Sequence, residues 1–488
     1  MDSKKLKKVG LFISMLVLGS FLQGKRPNVV FVLIDDMGYN ALSSYGNHLM
    51  ETPNIDRLGE NGLIFTDAYA MPQCSPTRFA FMTGQYCART NMNAVIFEKH
   101  VLPYAAMLQP ESTRVLPPEA VNIGRTLTNA GYRVGHVGKW HVDLKEKKLK
   151  EQMGRPNYLK TYGWEGMNTE KLISDDPKNV MGMTHATLNY LDKNRGHPTL
   201  AYLAHMTVHT AVSAPEALIQ KHVDRGYNKM KSKSGKMEER PIADYLAMID
   251  YLDQSIGVLV DGIEKLDLDR ETMIIFMSDN GGLLRVWEMD PLRRGKGSEY
   301  EGGVRVPLLV YWPEKIKEPR IVKEPVHIVD LFPTFVELAG AKIPEDYLLD
   351  GKSLVPIFEG AEKLDREAIY QNLPLYIPHY SKTPSCWMRM GDYKLIRFFG
   401  DKVVSYGSKE MLFGERLELY NVREDLPEKK DLSQEMPEKV QEMNSMLSAW
   451  LKETGAKLPA KNPNFDPEKI HLKLSSKVDF EGKEIIKQ

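Results

Sequence analysis

Five consecutive residues, Cys74-Ser75-Pro76-Thr77-Arg78, set a lone thiol beside a proline and an arginine where a helix is expected to begin. A helix N-terminus and a guanidinium both favour an anion, so Cys74 is expected to lean towards thiolate and to serve as a nucleophile. Read alone, it would be one more buried cysteine. A second group is Asp35-Asp36, which by itself is a turn or a helix cap. Taken with Ser278-Asp279-Asn280-Gly281-Gly282 it reads as a metal site, because three carboxylates and one amide offer only oxygen donors, which suit a hard cation such as Ca2+ or Mg2+. The number of protein ligands favours calcium, since magnesium usually retains several waters.

Short apolar runs rich in β-branched residues, at 28–34, 132–137, 200–204, 273–277 and 306–312, predict strands of a sheet covered on both faces. Between them Ile123, Leu127 and Ala130 precede Gly131 as a short helix would, and Leu246, Ile249, Leu252, Ile256, Leu259 and Ile263 recur at helical spacing. Strands alternating with helices predict an α/β fold with a large, mostly parallel sheet flanked by helices on both faces. Each candidate group then lies just past a strand: Asp35-Asp36, Lys139 and His141, His205 and His209, Asp279 and Asn280. In an open α/β sheet that edge is where ligands bind, so independent segments converge on one cleft.

The chain of 488 residues is 42% hydrophobic and 27% charged, enough to bury a large core. Its 65 basic and 65 acidic side chains cancel, giving no global attraction for nucleic acid or an anionic membrane. Lys4, Lys5, Lys7 and Lys8 precede an apolar run at 9–18 and then small or polar residues, the order of a secretory signal over 1–24. The run is shorter than the roughly 20 residues of a stable membrane span. A secreted or periplasmic location is expected. With only Cys74, Cys87 and Cys386 there is no disulfide framework, and the last two can pair or stay buried.

The motifs resemble one family. CSPTR matches the C-x-P-S/T-R signature of the type I sulfatases, within the alkaline phosphatase superfamily, and Thr83-Gly84-Gln85 looks like the T-G element that follows it. Gly138-Lys139-Trp140-His141 matches G-K-W-H, with Val142-Asp143 in place of the usual continuation. His209 resembles the family's H-x-P histidine without its prolines, and 294–307 resembles the G-K-G-x-x-Y-E-G-G-x-R-V-P block. The resemblance covers about 27–451. It implies a catalytic domain at 25–374, then a smaller domain of antiparallel sheet plus helix with the tail at 375–488. Residues 390–396 and 418–421 and a helix carrying Val440, Met443, Leu447 and Leu451 would form the smaller domain; beyond Lys457 little core is expected.

By the same resemblance a maturation enzyme converts Cys74 to formylglycine, and one Ca2+ is held by Asp35, Asp36, Asp279 and Asn280, with the converted residue 74 or a sulfate oxygen completing the shell. The hydrate would attack sulfur while Ca2+, Lys139, Lys296 and Arg78 hold the oxygens. His209 or Lys296 would protonate the leaving alcohol, and His141 would take the proton that frees sulfate. A sulfated glycan is the expected substrate, with His100, Asp143, Arg285, Trp287 and His379 as candidate contacts. Two long segments, 89–118 and the lysine-rich 210–240, are candidate recognition loops. The alternatives are a phosphonate or phosphate ester hydrolase of the same superfamily and a non-catalytic glycan-binding relative.

Overall fold

The run NVVFVLI forms β1 (Asn28–Ile34), buried throughout because each of its faces meets a core of its own. Val29, Phe31 and Leu33 belong to one apolar cluster, Val30, Val32 and Ile34 to another, as the period-2 alternation of a strand dictates. The structure is a computed structural model that describes residues 26–95, 102–142, 158–169, 175–228 and 242–470. The expected leader, His100, Asp143 and the lysines at 229–236 lie outside the described residues.

The chain continues through β2 (Leu63–Tyr69), β3 (Met107–Leu108), β4 (Arg133–Gly138), β5 (Glu165–Gly166), β6 (Thr199–Ala204), β7 (Thr272–Ser278), β8 (Arg305–Tyr311), β9 (Arg320–Val322) and β10 (Val326–His327). A nine-stranded sheet runs in the order β10-β2-β8-β7-β1-β6-β4-β5, with β9 beside β2 and β3 outside it. β7, β1, β6, β4 and β5 are parallel, and β8 runs against both of its neighbours. Helices Cys74–Thr83, Ile123–Asn129 and Leu331–Ala339 cover the Phe31 face; Pro53–Glu60, Val180–Lys193 and Ile242–Lys265 cover the other. The expected α/β architecture is the one observed. β2 escapes the sequence reading because Thr66 and Asp67 interrupt its apolar run.

A second sheet, antiparallel, pairs β11 (Ile369–Leu373), β12 (Ser385–Met390), β13 (Tyr393–Phe398) and, beyond the hairpin of β14 (Asp401–Val403) and β15 (Met411–Phe413), β16 (Arg416–Asn421). Its first strand, β11, ends at Leu373 and so falls before the expected boundary at 374. Helix Pro437–Glu453 packs over the sheet with Val440, Met443, Leu447 and Leu451 buried. The tail is better anchored than its composition implies: β17 (Ala460–Lys461) pairs with β3, and the Asn462 amide donates to the carbonyls of Pro103 and Ala105. Cys87 and Cys386 are free and buried, so they do not pair.

Buried ion pairs join the two sheets. Asp67 meets Arg305 at 3.1 Å and Arg389 at 2.6 Å, while Glu301 meets Arg305 at 3.0 Å and Lys394 at 2.8 Å. Such pairs specify geometry more than they add stability, because desolvation offsets much of the attraction. Three histidines add an acid liability. Burial pushes His136 down to about 3, His205 to about 4 and His327 to about 3, from an ordinary 6.5. The unfolded chain therefore binds protons that the folded chain refuses below pH 6.5, and each histidine withdraws about 1.4 kcal/mol per pH unit there. Burial also pushes the carboxyls of Asp253 and Asp401 up to about 6, so these take protons in the fold and oppose the histidines. The test is therefore a difference: His327→Asn is expected to lower by about one proton the slope with which urea-unfolding stability falls from pH 6.5 towards 4, and an unchanged slope would contradict the burial.

Candidate active site

Strand order explains why residues distant in sequence meet. β7, β1, β6 and β4 are adjacent and parallel, in a register that pairs Ile34 with Ser278, Leu33 with Ala204, and Ala204 with Gly138. Their C-terminal ends deliver Asp35-Asp36, Asp279-Asn280, His209 and Lys139 to one edge. Because β8 runs the other way, its beginning lies at that same edge, and the segment entering it brings Lys296. β2, antiparallel to β8, also ends there and leads to the helix that starts at Cys74. Gly138 turns the chain out of β4 with φ +97°, and a Cβ there would sit 2.0 Å from the Ala204 carbonyl oxygen, so only glycine fits.

Cys74 is the first residue of helix Cys74–Thr83, as expected, and is only 2% exposed. Its thiolate tendency is corrected by the structure. Burial pushes the thiol up and outweighs Lys139 and Lys296, with Asp35 and Asp279 adding to the push. An unmodified Cys74 is a protonated thiol, not an activated one.

Around it the charged groups pair closely. Lys139 Nζ lies 2.6 Å from Asp35 Oδ2, Lys296 Nζ 2.5 Å from Asp36 Oδ1, and Arg78 Nη2 2.8 Å from Asp279 Oδ2. Arg78 also donates to the Lys139 carbonyl at 2.7 Å and to the Tyr202 hydroxyl at 3.2 Å, and Thr77 Oγ1 donates to the Asp279 carbonyl at 2.6 Å. The Lys296 turn is held by backbone bonds from Lys296 to Gly282 and from Gly297 to Pro72. His141, in the left-handed conformation at φ 58°, shares a hydrogen bond of 3.1 Å with Ser75 Oγ. Burial, then Lys139 and Arg78, push it down to about 2, so its imidazole is neutral. The ammonium of Lys296 is held well above its ordinary value: burial lowers it, but Asp36 more than compensates.

The donor set fits a hard cation. Asp35 Oδ1, Asp36 Oδ2 and Asn280 Oδ1 are buried oxygens without a hydrogen-bond partner. One oxygen each from Asp35 and Asp279 and the Cys74 sulfur lie within 4.8 Å of one another. Burial and the charge of Asp35 push Asp279 upwards, whereas Asp35, which burial would also raise, is held well below the usual carboxylate range by Lys139 and Arg78. A divalent cation between these carboxylates would relieve that repulsion. Asp35, Asp36 and Asp279 carry three negative charges against three positive ones on Arg78, Lys139 and Lys296, so an added divalent cation would leave the pocket electropositive and receptive to an anion.

His209 stands at the solvent side, with its side chain 37% exposed. Its Nδ1–H donates to the Thr210 carbonyl at 2.7 Å, which leaves Nε2 facing the cluster, 3.6 Å from Asp36 Oδ2. Arg285 is exposed and donates to Thr210 Oγ1, beside His209. His379 packs on Tyr380, whose ring occupies the space a Cβ at Gly297 would need, next to Lys296. Trp287 is half-buried and stacks on Tyr245. His205 is fully buried, and neither nitrogen of its imidazole has a hydrogen-bond partner. Tyr202 and Lys178, whose Nζ donates to the carbonyls of Met206 and His209, carry no sequence signal; only their place in the fold identifies them.

Comparison with known proteins follows the same lines. The family model described as Sulfatase matches residues 27–341, and that described as N-sulphoglucosamine sulphohydrolase, C-terminal, matches 295–456. A "Sulfatase" of Formosa agariphila is 27% identical over 100% of this chain and 99% of its own. Human arylsulfatase A is 30% identical over 73% of this chain and 72% of its own. Among solved structures, Ps i-CgsB in complex with k-i-k-neocarrahexaose superposes with a TM-score of 0.68 at 26% identity, covering 91% of this chain and 96% of that one. A protein in complex with its substrate D-glucosamine-2-N,6-O-disulfate shares the fold, with a TM-score of 0.66 at 19% identity over 92% and 100% of the two chains.

Proposed function

The chain belongs to the sulfatase family and is a sulfatase, and from that premise we propose that it removes sulfate from a sulfated glycan, using a formylglycine made from Cys74 and one calcium ion held by Asp35, Asp36, Asp279 and Asn280. The observation that carries the reading is the set of partnerless buried oxygens gathered beside Cys74 and ringed by Arg78, Lys139 and Lys296. The glycan assignment is supported by the neocarrahexaose bound to a relative of similar fold. The expected leader at 1–24 supports export to a secreted or periplasmic location.

A calcium ion held by Asp35, Asp36, Asp279 and Asn280 would supply positive charge to bind and polarise a sulfate. A formylglycine at position 74 would supply a hydrated aldehyde, two hydroxyls on one carbon, the first a nucleophile for sulfur and the second a proton for a neighbouring base. The chain's own groups do the rest. Lys139 and Lys296, paired to Asp35 and Asp36, hold sulfate oxygens, and Arg78 braces Asp279. His141, neutral because it is buried, accepts the proton of the second hydroxyl. For the leaving alcohol the two candidates separate. Lys296 is 4% exposed, locked on Asp36 and held above its ordinary value, so it surrenders a proton poorly. His209 faces solvent and presents Nε2, so it is the proton donor.

The test is the mass of the peptide carrying Cys74 from protein made in its native host, followed by turnover of sulfate and phosphonate esters on one preparation. A formylglycine mass with sulfate turnover at least about 10²-fold the faster is expected. Faster phosphonate turnover would move the chain to the other hydrolase class, and an intact cysteine in an active enzyme would remove the proposed nucleophile.

A further inference from the structure

Lys178 lies on no strand end and in no motif, yet its ammonium group donates to two carbonyls of the His209 loop, Met206 at 3.1 Å and His209 itself. The start of that loop is tied to β1 by backbone hydrogen bonds. Asp35 N donates to Thr207 O, Val208 N to Asp35 O, and His205 N to Leu33 O. At His209 and Thr210 two side chains anchor the loop, Lys178 on the His209 carbonyl and Arg285 on the Thr210 hydroxyl. Lys178 is delivered by an unusual turn, in which it and Asn179 both adopt the left-handed conformation, at φ 58° and 56°. Such a pair persists only where its surroundings hold it. Asp176 does so, accepting from Met181 N at 3.1 Å, Gly182 N at 3.0 Å and the Tyr251 hydroxyl at 2.9 Å, which fixes the following helix and the turn before it.

The geometry points to Lys178 as a positioning residue for leaving-group protonation: by clamping the His209 carbonyl it holds Nε2 towards the departing oxygen. This rests on His209 being the proton donor, as proposed above. The charge of Lys178 is set by its surroundings. Burial pushes it down to about 8, with Asp35 and Asp36 opposing and Lys139 assisting, so the clamp remains largely an ammonium at neutral pH.

A role through His209 has a signature that a purely structural role lacks. A sugar alkoxide leaves badly and needs its proton, whereas a nitrophenolate leaves without help. We would compare kcat on a sulfated sugar and on a nitrophenyl sulfate ester for the full chain and for Lys178→Met, Lys178→Arg, His209→Ala and the Lys178→Met/His209→Ala double variant. Lys178→Met is expected to lose on the order of 10²-fold on the sugar, the scale of a catalytic group misplaced by about an ångström, and little on the aryl ester. Lys178→Arg should recover part of the loss, and the double variant should be no worse on the sugar than His209→Ala alone. Equal losses on both substrates, or full additivity with His209→Ala, would overturn the clamp. If His209→Ala shows the leaving-group dependence and Lys178→Met does not, this inference alone falls; if His209→Ala lacks it, the assignment of His209 falls instead. Retained aryl-ester turnover certifies that each variant has folded.

Discussion

Cys74→Ser is expected to release one equivalent of alcohol per enzyme and then stop. The serine hydroxyl takes the position at the head of the Cys74–Thr83 helix and can attack sulfur, breaking the ester bond and forming a serine sulfate. No second hydroxyl on the same carbon is available for His141 to deprotonate, so the sulfate stays. Sustained turnover should fall by on the order of 10⁴-fold or more, the usual scale for losing a nucleophile that acts as part of a unit. A rapid-quench burst experiment, with the mass of the residue-74 peptide taken after the burst, reads both halves of the claim. Steady turnover near the parent's rate would place the nucleophile elsewhere.

Chelation is expected to have the second largest effect. Stripping a divalent cation restores the repulsion among Asp35, Asp36 and Asp279 and leaves Asp35 Oδ1, Asp36 Oδ2 and Asn280 Oδ1 without compensation. A cation present at about 1,000 times its Kd contributes about 4 kcal/mol, so the unfolding midpoint should drop by several degrees in a chelator and activity should vanish with it. Calcium should restore both better than magnesium. Asn280→Ala removes one candidate ligand without leaving a buried charge, and should raise the calcium needed for half-activity by about 10- to 100-fold. An unfolding midpoint indifferent to chelator would dismiss the site.

How much of this was legible from residues alone depended on whether the signal was local. β1, β6 and β7 announce themselves by apolar runs and β4 by Val134 and Val137 around a glycine and a histidine, and polar residues that follow these strands are the ones the structure gathers. The reversal of β8 is not a local property, although it brings Lys296 to the edge where the parallel strands end. Nor is the division of labour inside 294–307 readable from its pattern. Lys296 enters the site, but Tyr300 donates to Glu418 and Glu301 pairs with Lys394, which fastens the second sheet, while Arg305 stays within the first sheet on Asp67 of β2. The thiolate expectation failed for a related reason: helix terminus and arginine were visible at Cys74, whereas the burial that outweighs them exists only in three dimensions. Lys178 acts on a loop that follows in sequence, but nothing in the spacing ties the two.

The near-complete enclosure of Cys74 also turns catalysis into a matter of timing. A thiol 2% exposed beneath the Lys296 turn is out of reach of another enzyme once β8 and its leading segment have docked. On the proposed reading, in which residue 74 is converted to formylglycine, the converting enzyme must find it while the chain is still open, and the docking of β8 ends that opportunity. Two molecules of identical sequence and identical fold can then differ permanently, one active and one inert, according to which event came first. Specific activity becomes a record of a race, and slowing the collapse of the sheet should raise the active fraction without altering the kcat of any active molecule.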